Sequence, residues 1–311
     1  MPDQPFRLRE NPFADGHDGR YIYPAGRRVE VVALLRKRIA DGESFVTITG
    51  ESGCGKTSAV TEVLEDETLG ARVAFLAHPS LTPSELLEAV CIEFGAPLPN
   101  PPSKPQALAS LVQHLRELRK QGWAPVLVLD EAHGLKTEPL EEVRLLSNLK
   151  SEGGRSLVQT ILVGLPELER RLGLPELAQL RQRIAVHARM APLTVEETEG
   201  YLHHRVGAAG GDGPAVFTAE ACREVHNYTN GVPRDINTLA GRALECAERD
   251  GADAVYLDHV RMAAGDSRPH GIATAARTAD AAQPFELRRR VSPSRPVPQV
   301  ARVSEPPVDR P

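Results

Sequence analysis

Apolar residues recur along this chain in two rhythms, and the balance between them shifts once. Up to Pro192, short apolar runs alternate with stretches of helical spacing. Phe45 to Thr49 places apolar residues at alternate positions, and Arg72 to Ala77 is a second short run. Ala124 to Leu129 (APVLVL) is continuously apolar, the signature of a central parallel strand covered on both faces. Ser156 to Val163 and a run beginning at Ile184 to His187 complete the set. Between these runs the spacing is helical. Arg27 to Ala40 carries Val29, Val32, Leu34, Leu35 and Ile39 and breaks at Asp41-Gly42. A helix follows the first strand to about Asp66. Thr82-Pro83-Ser84-Glu85 is a capping box with proline at the first helical position, opening a helix that ends near Gly95. After a Pro-rich loop from Pro97 to Pro105, Leu108, Leu111, Val112, Leu115 and Leu118 share one face. Leu140 to Leu149 and Pro175 to Gln182 add two more helices. This alternation predicts an α/β fold: a three-layer α/β/α arrangement around a parallel sheet of about five strands.

After Pro192 only the helical rhythm remains. Thr194-Val195-Glu196-Glu197 is a second capping box, for a helix to about Val206. A Gly-rich turn over 207–213 separates it from a helix over 217–228. Gly231-Val232-Pro233 restarts the chain into a helix with Ile236, Leu239, Ala240, Ala243 and Leu244 in register, and 256–264 is the last. The predicted organisation is an N-terminal arm over 1–26, an α/β domain over 27–192, a helical lid over 193–264 and a disordered Pro/Arg-rich tail over 265–311. The arm carries Phe6, Phe13, Tyr21 and Tyr23, suited either to packing or to covering a nucleotide base. The tail has too little apolar content to offset its ordering entropy. Its Arg288-Arg289-Arg290 run with Arg295 fits a solvated segment, or one touching nucleic acid or acidic lipid.

Composition narrows the class. An apolar content of 41% suffices for a core, and the net charge of -5 gives no overall nucleic-acid signature. Cys54, Cys91, Cys222 and Cys246 form no C-x-x-C, which argues against zinc or disulfides. The chain shows no long apolar run and no signal-peptide core at its start, so the expected location is the cytoplasm.

The chemistry concentrates at two strand ends. Gly50-Glu51-Ser52-Gly53-Cys54-Gly55-Lys56-Thr57, followed by Ser58, fits the phosphate-loop pattern G-x-x-x-x-G-K-[ST] without mismatch. Glycines let the loop curl so that backbone N–H groups point at phosphate oxygens, and the helix opening near Lys56 adds its positive end. Lys56 is expected to reach β- and γ-phosphates and the Thr57 hydroxyl to bind Mg²⁺. The central strand ends in Asp130-Glu131-Ala132-His133, at the crevice of an open α/β sheet. Asp130 is the second candidate for Mg²⁺, and Glu131 the candidate general base for an attacking water.

A phosphate loop, an acidic strand end and a helical lid resemble the AAA+ ATPases. Asn11-Pro12-Phe13, GESGCGKT at 50–57, VLVLDEAH at 126–133, ILVGLPEL at 161–168, LRQRI at 180–184, APLTVEET at 191–198 and GVPRDIN at 231–237 occur in the order seen in the ExeA (GspA-type) family. That resemblance implies ATP and Mg²⁺ as ligands and assembly into a ring or filament. It implies that Arg183, with Arg181 as the fallback, reaches the nucleotide of a neighbouring subunit as an arginine finger. It further implies that Arg234 senses the γ-phosphate in its own subunit; a cation just inside a helix start also calls for an anion nearby. Relatives often carry a polar residue after the glycine of the ILVG strand, where this chain has Leu165, leaving Gln159 and Thr160 as distant candidate sensors. Two roles follow: an assembly or remodelling ATPase tied to secretion or pilus components, or a regulator on double-stranded DNA beside a transposase, as in the TniB, TnsC and MuB proteins.

Overall fold

The computed structural model describes residues 5–265, apart from 15, 17, 25, 78–80, 99, 101, 102, 152 and 153. The tail predicted as disordered lies outside the described residues, save Gly265. Five strands form one wholly parallel sheet: β1 (Phe45–Gly50), β2 (Ala71–Leu76), β3 (Ala124–Leu129), β4 (Gln159–Gly164) and β5 (Val186–Met190), in the order β2-β3-β4-β1-β5. β1 and β4 are buried throughout, as is β3 beyond its first residue, which explains the continuous apolar run of β3.

The pleat sorts side chains by face. Val46, Ile48, Val126, Val128, Ile161 and Val163 pack with α1 (Gly26–Asp41) and α2 (Lys56–Leu64). Phe45, Leu127, Leu129 and Leu162 point the other way, into a core shared with α3 (Pro83–Phe94), α4 (Lys104–Lys120), α5 (Thr137–Ser147), α6 (Glu167–Leu172) and α7 (Ala178–Arg181). The third core belongs to α8 (Val195–Ala208), α9 (Gly213–Val216), α10 (Ala219–Thr229), α11 (Pro233–Arg249) and α12 (Leu257–Gly265). Leu8 and Phe13 of the arm are buried in it, and the Phe13 ring meets Phe217 edge-on at 5.7 Å.

Local signals explain most boundaries. Both capping boxes form: Glu85 N–H donates to Thr82 Oγ1 at 3.4 Å and Thr82 N–H to Glu85 Oε2 at 2.8 Å, while the Thr194–Glu197 pair gives 3.2 and 2.9 Å. Elsewhere the expected elements shift. The strand expected from Ser156 begins at Gln159, because Ser156 instead pairs with Lys150 in an isolated antiparallel bridge. The helix expected over 175–182 is a 3-10 turn, Pro175–Leu177, followed by the single turn of α7. α6 and α9 were not expected; each is too short to show helical periodicity. α8 runs through Gly207, since packing of Val206 and Ala209 outweighs the propensity cost of one glycine. The helix expected from Phe217 starts two residues later, with Thr218 as its cap and Phe217 bridged to Val255.

Candidate functional site

Because the strands are parallel, their carboxyl ends share one edge, and the two motifs meet there. β1 delivers Gly50 into the loop and β3 delivers Asp130, with β4 between them. Gly50 has to be glycine: a Cβ there would stand 2.4 Å from the Met190 carbonyl of β5. Gly53 and Gly55 hold φ of +81° and +83°, the left-handed conformation that curls the loop. α2 then starts with no side-chain cap on its N-terminus, so its first N–H groups stay available to an anion.

Lys56 is 6% exposed, and its Nζ donates to the carbonyls of Gly50 and Glu51, each at 2.9 Å. Burial pushes its pKa down, against the nearby Glu131, Asp130 and Glu51 carboxylates, which favour the charged form. Its hydrogen bonds are to two carbonyls of its own loop, which leaves one of its three N–H donors for a ligand, and a phosphate would complete its surroundings. Thr57 Oγ1 donates to Asp130 Oδ2 at 2.6 Å, tying the start of α2 to the end of β3. The other Asp130 oxygen accepts the Glu131 N–H at 2.8 Å. A hydroxyl and a carboxylate in contact are hard-oxygen donors of the kind that hold Mg²⁺ beside phosphates. The glycine curl, the uncapped helix start and this oxygen pair together fit a metal-bound polyphosphate.

Glu131 sits at φ 53°, ψ 32°, an uncommon conformation for a side chain of its length. Strain of this kind persists where the surroundings over-determine it. Its Oε2 is 3.3 Å from His133 Nδ1, and the same ring nitrogen lies 3.4 Å from the Leu165 N–H. His133 thus stands beside the strand end where a polar residue was sought. Gln159 and Thr160 occupy the opposite end of β4, register-paired near Phe45, while Gly164 pairs with Thr49. They lie too far back to reach the loop. Gln159 instead donates to the Ile39 carbonyl at 3.0 Å.

A cavity of about 690 Å³ opens beside the loop. Gly53, Cys54, Gly55 and Ser58 line one side, Tyr21 and Tyr23 of the arm another, and Leu193, Arg234 and Asn237 a third. The start of α11 packs directly on the loop: Arg234 N–H donates to the Gly53 carbonyl at 3.3 Å, and a Cβ at 53 would stand 2.9 Å from Arg234 Cβ. The Arg234 side chain is exposed and forms no ion pair among the described residues. Cys54 is buried, which raises its thiol pKa and keeps it a packing residue of the loop.

Arg183 follows α7 and donates to Ser147 Oγ at 3.3 Å, apart from the grouping of Lys56, Thr57, Asp130 and Glu131. Arg181 is exposed and donates to the Gly173 carbonyl at 3.1 Å. Sequence reasoning missed Arg28. From the first turn of α1 it reaches the Gly55 carbonyl at 3.4 Å, Ser58 Oγ at 3.3 Å and Glu62 Oε2 at 2.8 Å. Nothing in its local pattern distinguishes it from its neighbour Arg27; only the docking of α1 against α2 does. Also missed was a polar group beneath the loop: His187 meets Thr47 Oγ1 at 2.6 Å and Glu169 Oε1 at 2.9 Å, and Thr49 bonds Glu169.

Comparison with known proteins agrees with this geometry. Residues 38–172 match the AAA domain family. The chain is 34% identical over 264 residues to the general secretion pathway protein A of Aeromonas hydrophila, spanning 85% of this chain and 48% of that one. It therefore spans about half the length of that curated relative. In fold it is similar to Cdc6p from Pyrobaculum aerophilum, with a TM-score of 0.64 at 20% identity, covering 82% of this chain and 70% of that one. The ORC2 protein of Aeropyrum pernix, solved as ADPNP–ADP complexes, gives 0.61 at 19%, covering 82% and 72%. The RuvB branch migration motor of Thermotoga maritima gives 0.51 at 20%, covering 77% and 68%.

Proposed function

This chain is an AAA+ P-loop protein of the ExeA/GspA type over the stretch it shares with that relative, and on that footing we propose that it binds Mg²⁺–ATP and hydrolyses it. The observation that carries the reading is the Lys56 ammonium, buried beside the Thr57–Asp130 pair at the mouth of an uncapped helix. Lys56 and the loop N–H groups hold the β- and γ-phosphates. Thr57 and Asp130 hold Mg²⁺, which offsets the charge of the phosphate oxygens. Glu131 takes the proton of the attacking water. Arg234 reaches the γ-phosphate from α11, while Tyr21 and Tyr23 of the arm border the base end of the cavity.

Arg183 acts in trans in this proposal, so turnover requires a ring or filament of several copies. Its placement beside Ser147, separate from the loop of its own chain, supports that role. The lid boundary near 193 and the arm over 1–26 enter as parts that close on the nucleotide. Identity to general secretion pathway protein A favours work on a secretion or pilus assembly as the use of hydrolysis. Among the described residues no helix is long and apolar enough to cross a membrane. A regulator of transposition on DNA is the competing use, separated by whether double-stranded DNA stimulates turnover.

The deciding test is isothermal calorimetry of the full chain with Mg²⁺–ATP, followed by a phosphate-release assay over a range of protein concentrations. Saturable uptake and a specific activity that climbs with concentration are expected. Absence of uptake by folded protein would sink the proposal.

A further inference from the structure

α11 places two polar side chains on the wall of the nucleotide cavity, Arg234 and Asn237. They stand three residues apart, about 4.5 Å along the helix axis and on one face. Arg234 is the one beside the loop, since its N–H reaches the Gly53 carbonyl at 3.3 Å. Asn237 stands one turn further along, against Tyr201 of α8, whose Oη donates to Asn237 Oδ1 at 2.8 Å. Tyr21, Tyr23, Leu193 and Pro233 line the same cavity, and such aromatic and apolar surface suits the faces of a planar base.

The direction of the Asn237 amide is dictated by its neighbours. Arg205 Nη1 points at the same phenol oxygen at 3.1 Å, and a guanidinium can only donate. The Tyr201 oxygen therefore accepts from Arg205 and passes its own proton on. Tyr201 is 7% exposed, so an idle phenol proton would be an unpaired buried donor. Its acceptor is Asn237 Oδ1. Turning the amide over would set two donors, Arg205 Nη1 and Asn237 Nδ2, on one phenol oxygen and leave the phenol proton without an acceptor. With Oδ1 held by Tyr201, the two N–H groups of Nδ2 remain, and among the described residues nothing accepts from them. Asn237 is half-buried and lines the cavity. The relay begins in the arm, where the Pro12 and Ala14 carbonyls hold the other two Arg205 nitrogens. Tethering the arm needs Arg205 alone; the extension through Tyr201 to an amide on the cavity wall gives the relay an end that faces a ligand.

We propose that the Asn237 amino group donates to a ring nitrogen of the adenine base, and that the Arg205–Tyr201 relay holds it in the donating direction. This rests on the nucleotide-binding reading above. Asn237 is the binding residue; Tyr201 and Arg205 position it. The adenine ring nitrogens N1, N3 and N7 carry in-plane lone pairs and only accept, so they match an N–H donor and repel a carboxylate. The contact is with the base, so nucleoside diphosphate and triphosphate share it. The Arg234 contact, made to the γ-phosphate, belongs to the triphosphate alone.

The test is calorimetry of the full chain with Mg²⁺–ATP and Mg²⁺–ADP. Asn237→Ala is expected to weaken both by the same factor, about 3- to 10-fold, the worth of one hydrogen bond. Arg234→Ala is expected to weaken ATP and spare ADP. Asn237→Asp, which keeps the shape and replaces the donor by a carboxylate, should weaken ADP by at least about 10-fold. Both Asn237 variants should melt close to the wild type, since the position is half-buried. Tyr201→Phe should also weaken both nucleotides, yet add nothing in the Asn237→Ala background, as residues acting as a unit do. A role in folding alone would lower the thermal midpoint and leave affinity unmoved. Of the ATP analogues in which N1, N3 or N7 is replaced by C–H, one should bind the wild type about 3- to 10-fold more weakly than ATP, and bind Asn237→Ala as ATP does. Unchanged ADP affinity in Asn237→Ala and Asn237→Asp would overturn the proposal and leave the nucleotide reading standing, as would three analogues that all bind the wild type like ATP. A wild type that takes up neither nucleotide would sink both.

Discussion

The sheet edge and the helical region each bury a cation, and they treat it in opposite ways. Arg205 on α8 is 8% exposed and donates to the Pro12 carbonyl at 2.5 Å, the Ala14 carbonyl at 3.2 Å and Tyr201 Oη at 3.1 Å. Its guanidinium also lies over the Tyr21 ring at 5.0 Å. Each of its three nitrogens has a partner, and the result is an arm fastened to the helices. Lys56 is equally buried, yet its three N–H donors make two hydrogen bonds, both to carbonyls of its own loop. A buried cation whose every nitrogen is tied to another segment is a structural device; one tied only to its own loop, with a donor to spare, marks where a ligand completes the site. Around Arg205 the chain is capped and apolar. Around Lys56 it is uncapped, glycine-curled and strained at Glu131.

Substitutions can break that contrast or sharpen it. Lys56→Ala should lose calorimetric uptake of Mg²⁺–ATP while melting like the wild type; retained uptake would erase the distinction. Arg183→Ala should lower turnover by about 10³-fold. Mixing it with the Lys56→Ala protein should restore part of the rate at hybrid interfaces. No restoration under proven subunit exchange argues for a role within one chain. Glu131→Gln should keep nucleotide affinity and lower turnover by at least about 10²-fold. Wild-type turnover in that protein would remove the base assignment. Arg205→Ala should cost about 2–3 kcal/mol by stranding buried carbonyls. It should release the arm, read as faster proteolysis before residue 26, with the chemical step intact at saturating nucleotide. Thr194→Ala, removing one half of a capping box, should cost about 1 kcal/mol in thermal stability and leave turnover unchanged.

Much of the fold was legible because its signals are local. All five strands and the helices of three turns or more announce themselves through periodicity, and both capping boxes close as the Thr-x-x-Glu spacing demands. The elements that escaped, α6 and α9, are six and four residues long. So short a helix owes its conformation to neighbours, and Leu168 and Val216 are buried in cores assembled by distant segments. Within the site, the phosphate loop and Asp130 were readable because consecutive residues do the work. Arg28, His133 as a partner of Glu131, and the Thr49–Glu169–His187 group were not, since each pairs residues of separate elements.

The sequence by itself determined the chemistry on offer: a glycine-rich turn between strand and helix, an acidic pair at a strand end, and a change to helices after Pro192. Backbone conformation and periodicity act over a few residues, so they leave their mark in adjacent letters. The tertiary structure alone decided which strands are neighbours, and hence that Thr57 meets Asp130 across 73 positions of chain. It also docked α1 on α2 so that Arg28 reaches the Gly55 carbonyl and Glu62. Parallel strands bring all their carboxyl ends to one edge, and only the packing order says which of those ends are neighbours.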